Sequence, residues 1–413
     1  FRRMLPGPER EARRRARPRR LIPPENRAVL MTIAIGIPVL LAIIVALAND
    51  SFGDENRLQS LFSQAKREIA SAEAAGGASE EARPHWETAL EYAKAAVELR
   101  PDDPEAIALQ TEIQAHLDSL GGVIRLAPVH LADFGSSTAL RQLVVHGQMV
   151  FVLDPAAGWV TQLALNQAGD GVVEERLPPP LVRTGQQVSD GEVGNLVDCV
   201  WVGSGGGRLT SGLLILEEGA GLVSYDPAWG SEEGVPQLAR SFLGTPPTGT
   251  SKAIGSYQDR FYILDPVAKQ VWRYEPRDDT YPEPPGGYFV TPPPKSLETA
   301  LDMAIDGNVY ILYADGTVLK FLGGDLQPFE IRELPDDIGE AVALAVDPNS
   351  GSGIVYVADR GNGGVLVFEP DGTFRAQLHA EDAFDELEAL AVDEAARRLY
   401  VFSGGQLYVA PLP

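Results

Sequence analysis

The chain has 413 residues, 44% hydrophobic and 22% charged, which gives room for about two or three domains and excludes a disordered or fibrous chain. Its 42 Gly and 32 Pro argue against an all-helical fold and call for many short strands joined by tight turns. A single Cys199 excludes an internal disulfide and any multi-cysteine metal site, five His offer little for a histidine metal centre, and a net charge of −24 disfavours nucleic acid as a partner.

That charge is unevenly spread. Residues 1–27 hold ten Arg against three Glu, a net of +7, which leaves −31 on the rest. Next comes AVLMTIAIGIPVLLAIIVALA, residues 28–48, with no ionisable side chain. At about 1.5 Å rise per residue it spans roughly 30 Å, and it is read as a transmembrane helix in which Pro38 is tolerated. A secretory signal peptide has a shorter apolar core, of roughly 7 to 15 residues, and a small-residue cleavage site that is missing here. A buried soluble helix is the remaining alternative. Arg13, Arg14, Arg15, Arg17, Arg19 and Arg20 lie before the segment and the acidic NDSFGDEN follows it. The positive-inside bias therefore places residues 1–27 in the cytoplasm, beside anionic lipid, and the remainder outside the cell membrane. The Pro- and Arg-rich opening at Phe1 reads as a linker from an upstream segment.

Residues 51–121 show helical spacing. Leu58, Leu61, Phe62, Ala65, Ile69 and Ala72 form one apolar stripe, closed by Gly76 and Gly77. A second helix begins near Pro84 and carries Trp86, Leu90, Ala93 and Val97; a third carries Ile107, Ile113 and Leu117 before Gly121 and Gly122. The stretch HWETALEYAKAAVELRPDDPEA resembles the second half of a tetratricopeptide repeat, with Ala89, Ala96 and Pro101 at the family's spacing and with Gly76, Gly77 and Glu80 departing from it. One repeat cannot build the concave surface of a stacked array, so a spacer or dimerising hairpin is the expected role.

From residue 122 to 413 the period changes. Taking Phe151, Leu213, Phe261, Val309, Val355 and Leu399 as markers, similar strand pairs recur at steps of 62, 48, 48, 46 and 44 residues. Six units at that period predict a mainly β fold, a six-bladed propeller. The last unit ends after three strands, so the segment Val123–Phe134 is expected to supply the fourth and close the ring. Asp154, Asp265 and Asp359, with Asp226 and Asp315, fall in or beside the turns, where a carboxylate caps backbone amides.

Within VYVADRGNGGVLVFEPDGTF, residues 355–374, Asp359, Asn362, Val365, Val367, Phe368, Asp371, Gly372 and Phe374 match the NHL repeat, and Gly364 stands where that family usually has Arg. The chain thus resembles NHL-like and TolB-like six-bladed propellers. The order of basic linker, membrane helix and propeller also resembles the extracytoplasmic half of bacterial transmembrane Ser/Thr kinases or PP2C-type phosphatases. That resemblance implies a sensor or scaffold that binds a protein, peptide or glycan, with signal transduction as its setting. No nucleophile–base, zinc, phosphate-loop or Cys-pair motif is present, so no catalytic residue, metal ligand or cofactor is assigned. The alternative is a metal-dependent, lactonase-like propeller hydrolase with ligands gathered from several blades.

Overall fold

The computed structural model describes residues 53–413, except Ala139, Glu175, Ser189, Gly230, Glu233, Gly234 and residues 248–250. The segment 28–48 and the six flanking arginines lie outside the described residues. Among the described residues no helix is long and apolar enough to cross a membrane. The described residues fall into two compact units that divide between Leu117 and Asp118.

The first unit is helical, with α1 (residues 53–74), α2 (Arg83–Leu99) and the start of α3 (Pro104–Leu120). Leu58, Phe62, Ala65 and Ala72 of the α1 stripe are buried, as are Trp86, Ala89, Leu90, Ala93 and Ala96 of α2. Gly76 and Gly77 take positive φ after α1, the left-handed conformation that ends helices cheaply only at glycine. Trp86 donates its indole N–H to Gly77 O at 2.8 Å and stacks on His116 of α3 with ring centroids 4.2 Å apart. Asp103 caps α3, its Oδ1 accepting from Glu105 N and Ala106 N at 3.0 Å each.

The second unit is a six-bladed propeller. The inner strands of blades 1 to 6 are Gln142–His146, Leu196–Val202, Ala253–Tyr257, Ala300–Ile305, Ala341–Ala345 and Leu387–Asp393. Each neighbours the inner strands of the two adjacent blades, and blade 6 meets blade 1. Each leads antiparallel into the second strand of its own sheet, which is buried along nearly its whole length. These second strands contain all six repeat markers.

Six apolar clusters hold the ring, one at each junction between blades. Strand alternation explains how one blade serves two of them. In Met149–Asp154 of blade 1, Phe151 and Leu153 join the cluster shared with blade 2, whereas Val150 and Val152 join the one shared with blade 6.

The segment expected to close the ring does so, but it is shared between two blades. Val129–Asp133 runs antiparallel to the last strand, Gln406–Pro411, and becomes the outermost strand of blade 6, with Val129 opposite Val409 and Asp133 opposite Gln406. The preceding Val123–Arg125 pairs instead in parallel with Phe374–His379 and adds a fifth strand to blade 5. Pro128 stands at the division; it has no N–H to give to a ladder, so a single continuous strand is broken there. The expectation of one fourth strand is corrected to two short ones on neighbouring blades.

Deleting residues 123–134 should lower the melting temperature of the whole propeller, and Leu131→Ala alone, emptying a site in the cluster between blades 6 and 1, should cost about 2–4 kcal/mol in chemical denaturation. Unchanged unfolding of the deletion variant would disprove closure by this segment.

Candidate functional site

The inner strands run in the same sense around a central channel, so one mouth gathers their beginnings and the other their ends. The first mouth holds a cavity of about 330 Å³ lined by residues including Arg141, Asp198, Asp302 and Glu388. The three acids come from blades 2, 4 and 6, and each reaches the next blade. Asp198 accepts from Cys199 N at 2.8 Å and from Ile254 N of blade 3 at 2.9 Å. Asp302 accepts from Met303 N and from Leu344 N of blade 5, both at 2.8 Å. Glu388 accepts from Leu140 N, just before the inner strand of blade 1, at 3.2 Å.

Local backbone geometry aims these side chains. The pairing registers skip one residue at Val197, Leu301, Val342 and Glu388, a bulge at the same place in four inner strands. A bulge leaves its extra residue unpaired and turns neighbouring side chains out of the regular alternation. Asp198 and Asp302 follow the bulged residue directly. Glu388 is itself the bulged residue, and its longer side chain makes up the difference.

Burial controls the electrostatics. Loss of water pushes the Asp198 carboxyl up to about 7, against the opposing pull of Arg141 and of the two amides. Burial also raises Asp302 and Glu388, and it drives the Cys199 thiol well above its ordinary range. Arg141, exposed at the same mouth, is the cation nearest this group of acids in effect, since it opposes the rise at both Asp198 and Asp302.

The second mouth is larger, about 680 Å³, with His146, Trp201, Tyr257, Asn349 and Asp393 among its lining. His146 stacks on Trp201 at 4.0 Å between ring centroids and 12° between planes. Burial holds the imidazole below its usual range, with Asp393 working the other way. Two bonds tie blades together here: Ser256 Oγ donates to Trp201 O at 2.6 Å, and Asp347 accepts from Glu394 N at 2.9 Å.

The turn residues singled out in the sequence sit away from both cavities or serve the backbone beside them. Asp154, Asp265 and Asp359 end the second strands of blades 1, 3 and 5 and are almost fully buried. Asp154 caps Ala157 N at 2.8 Å, Asp265 caps Ala268 N at 3.0 Å and also accepts from Trp272 Nε1 at 3.1 Å. Asp359 accepts from Gly339 N, Glu340 N and Asn362 Nδ2, fixing the loop that enters blade 5. Asp371 accepts from Thr373 N at 3.0 Å and pairs with Arg332. Gly372 has φ +92° and lies so near Glu330 that an added Cβ would stand 2.4 Å from its carbonyl oxygen. Sequence reasoning missed the channel acids. Their signal was an acid inside an otherwise apolar strand: LVDCVWV, ALDMAI and LEALAVD.

Among solved structures the chain is similar to a gluconolactonase of Xanthomonas campestris, at 17% identity and TM-score 0.47 over 70% of this chain and 90% of that one. A regucalcin of Agrobacterium tumefaciens, described as a calcium-binding protein, aligns at 12% identity and TM-score 0.43 over 70% and 95% of the two chains. A protein of unknown function from Bacteroides thetaiotaomicron aligns at 14% identity and TM-score 0.45 over 69% and 72%. No protein-family model and no curated protein sequence matches the chain.

Both oxygens of Asp198 and of Asp302 accept one backbone N–H each and keep a further lone pair. Among the described residues no three His, Cys, Asp or Glu groups stand close enough to share an ion.

Because the folded carboxyl of Asp198 sits near 7 and the unfolded one near 3.8, the folded state holds the proton more tightly. Its contribution to stability is complete below the unfolded value, is lost as the pH rises from roughly 4 through 7, and is level above that. The stability difference between the wild type and Asp198→Asn should therefore shift against the wild type over this window in urea titrations. A difference independent of pH would show that Asp198 titrates as an ordinary carboxylate.

Proposed function

We propose that the chain is a membrane-anchored binding module whose propeller takes a ligand at its channel, outside the cell membrane. In this reading residues 28–48 cross the bilayer and Arg13, Arg14, Arg15, Arg17, Arg19 and Arg20 lie against anionic lipid in the cytoplasm. The propeller is then the sensor or scaffold of a signalling protein, of the transmembrane Ser/Thr kinase or PP2C-type phosphatase kind. One observation supports the preference for binding over turnover: each acid of the first mouth bonds a backbone amide of the neighbouring blade and so serves as a joint of the ring.

A second reading, lactonase-like hydrolysis at the first mouth, is favoured by one feature. Asp198, with its carboxyl near 7, shares a cavity with Arg141, which is the pairing of a proton acceptor with a cation that acyl hydrolysis uses.

The two readings separate in a pH-stat assay of the full chain with glucono-δ-lactone, with and without added Ca²⁺ or Zn²⁺. Binding predicts no acceleration over buffer. Acceleration that is lost in Arg141→Ala overturns it in favour of hydrolysis. Topology is tested by adding protease to intact cells: the propeller should be shaved from the surface, and full protection would reverse the orientation.

A further inference from the structure

The second mouth of the channel differs from the first in what its side chains have left to offer. Among the described residues no Lys or Arg lines it to hold a phosphate or carboxylate ligand. Of its two Asp, Asp347 has both oxygens engaged, by Asn349 N at 2.8 Å and Glu394 N at 2.9 Å. Asp393 gives one oxygen to Ala396 N and keeps the other.

The aromatic groups rule out another class. Trp201 is covered by His146 at 4.0 Å on stacking geometry and by Phe151 at 5.9 Å and 28°. An organic cation needs an open ring face, and Trp201 has none to give. Its indole N–H, however, is buried without a hydrogen-bond partner among the described residues. Such a donor is costly to leave unpaired, and a ligand oxygen that reaches it would recover that cost.

Apart from the open oxygen of Asp393, what remains at this mouth is neutral and polar. The side chains of Ser204, Ser211, Tyr257 and Asn349 have no partner among the described residues, and burial holds the His146 imidazole below its usual range. The cavity of about 680 Å³ lies in the size range of small-ligand sites.

We infer that the second mouth is a saccharide site, taking a neutral sugar of one or two rings. Ring hydroxyls bond to Ser204, Ser211, Tyr257, Asn349 and the open oxygen of Asp393, and the apolar edge of the sugar packs on the outer face of His146. This assignment rests on the proposal that the channel binds a ligand, and it adds which mouth and which chemistry.

The test is calorimetric titration of the full 413-residue chain with maltose, cellobiose, trehalose and N,N′-diacetylchitobiose, with choline and inorganic phosphate as comparisons. At least one sugar should give saturable heat, weakened about tenfold by Trp201→Phe, which deletes the indole N–H, and by Asn349→Ala, an exposed rim residue whose loss leaves folding intact. Gln162→Ala, on the outer part of blade 1, should change nothing. Sugar binding indifferent to Trp201→Phe and Asn349→Ala would move the site elsewhere and overturn the inference. Binding of choline or phosphate, but no sugar, that is lost in those two variants would overturn the saccharide assignment while leaving the channel-binding proposal standing. If none of the compounds binds, the saccharide assignment falls, and the channel-binding proposal stands on its own test.

Discussion

A blade of this propeller is apolar on both faces, and everything else in the domain follows from that constraint. Its second strand is buried almost throughout because alternate residues serve different neighbours: Tyr310 and Leu312 turn toward blade 5, Val309, Ile311 and Tyr313 toward blade 3. No blade can be satisfied alone, and a linear array would leave two greasy ends in water. The ring must close. Closure is achieved by chain segments far apart in sequence, with Val129–Asp133 completing blade 6, so the last blade is a joint between the two ends of the domain.

Closure by apolar packing alone would fix the blades radially but leave them free to slide along one another. Carboxylates supply the missing register. Asp198, Asp302 and Glu388 each cross to a backbone amide of the next blade at one mouth, and Asp347 does so at the other. A carboxylate bonded to a neighbouring strand is directional, and it holds only if that strand presents its N–H at one height. The cost is desolvation, visible as the raised carboxyl of Asp198. A protonated acid still offers acceptor oxygens, so these joints survive partial neutralisation with less electrostatic strain than a fixed charge would impose.

Much of this architecture is written in the sequence because it is periodic. The recurrence of apolar strands at Phe151, Leu213, Phe261, Val309, Val355 and Leu399 reports the second strands directly, since they are the ones buried on both sides. The turn carboxylates were legible too, because Asp154, Asp265 and Asp371 bond to amides two or three residues away. What could not be read was anything that depends on two blades at once. Asp198 and Ile254 are separated by 56 residues, and His146 and Trp201 by 55; no local pattern joins them. The split of Val123–Asp133 across two blades was likewise invisible, although Pro128 marked where it would occur.

The contrast between the two mouths follows from the direction of the inner strands. At their beginnings the bulges turn acids inward, where they meet amides of the adjacent strand and are consumed in holding the ring. At their ends the inner strands of blades 2 and 5 pass into long connections, residues 203–211 and 346–354, whose side chains do not face a neighbouring ladder, while blades 1, 3 and 4 turn within two or three residues. Some polar side chains at that end, Ser204, Ser211, Tyr257 and Asn349, are left without partners among the described residues. A propeller that needs its channel acids for register has its free hydrogen-bonding capacity at the opposite mouth, and it is there that the domain can recognise something other than itself.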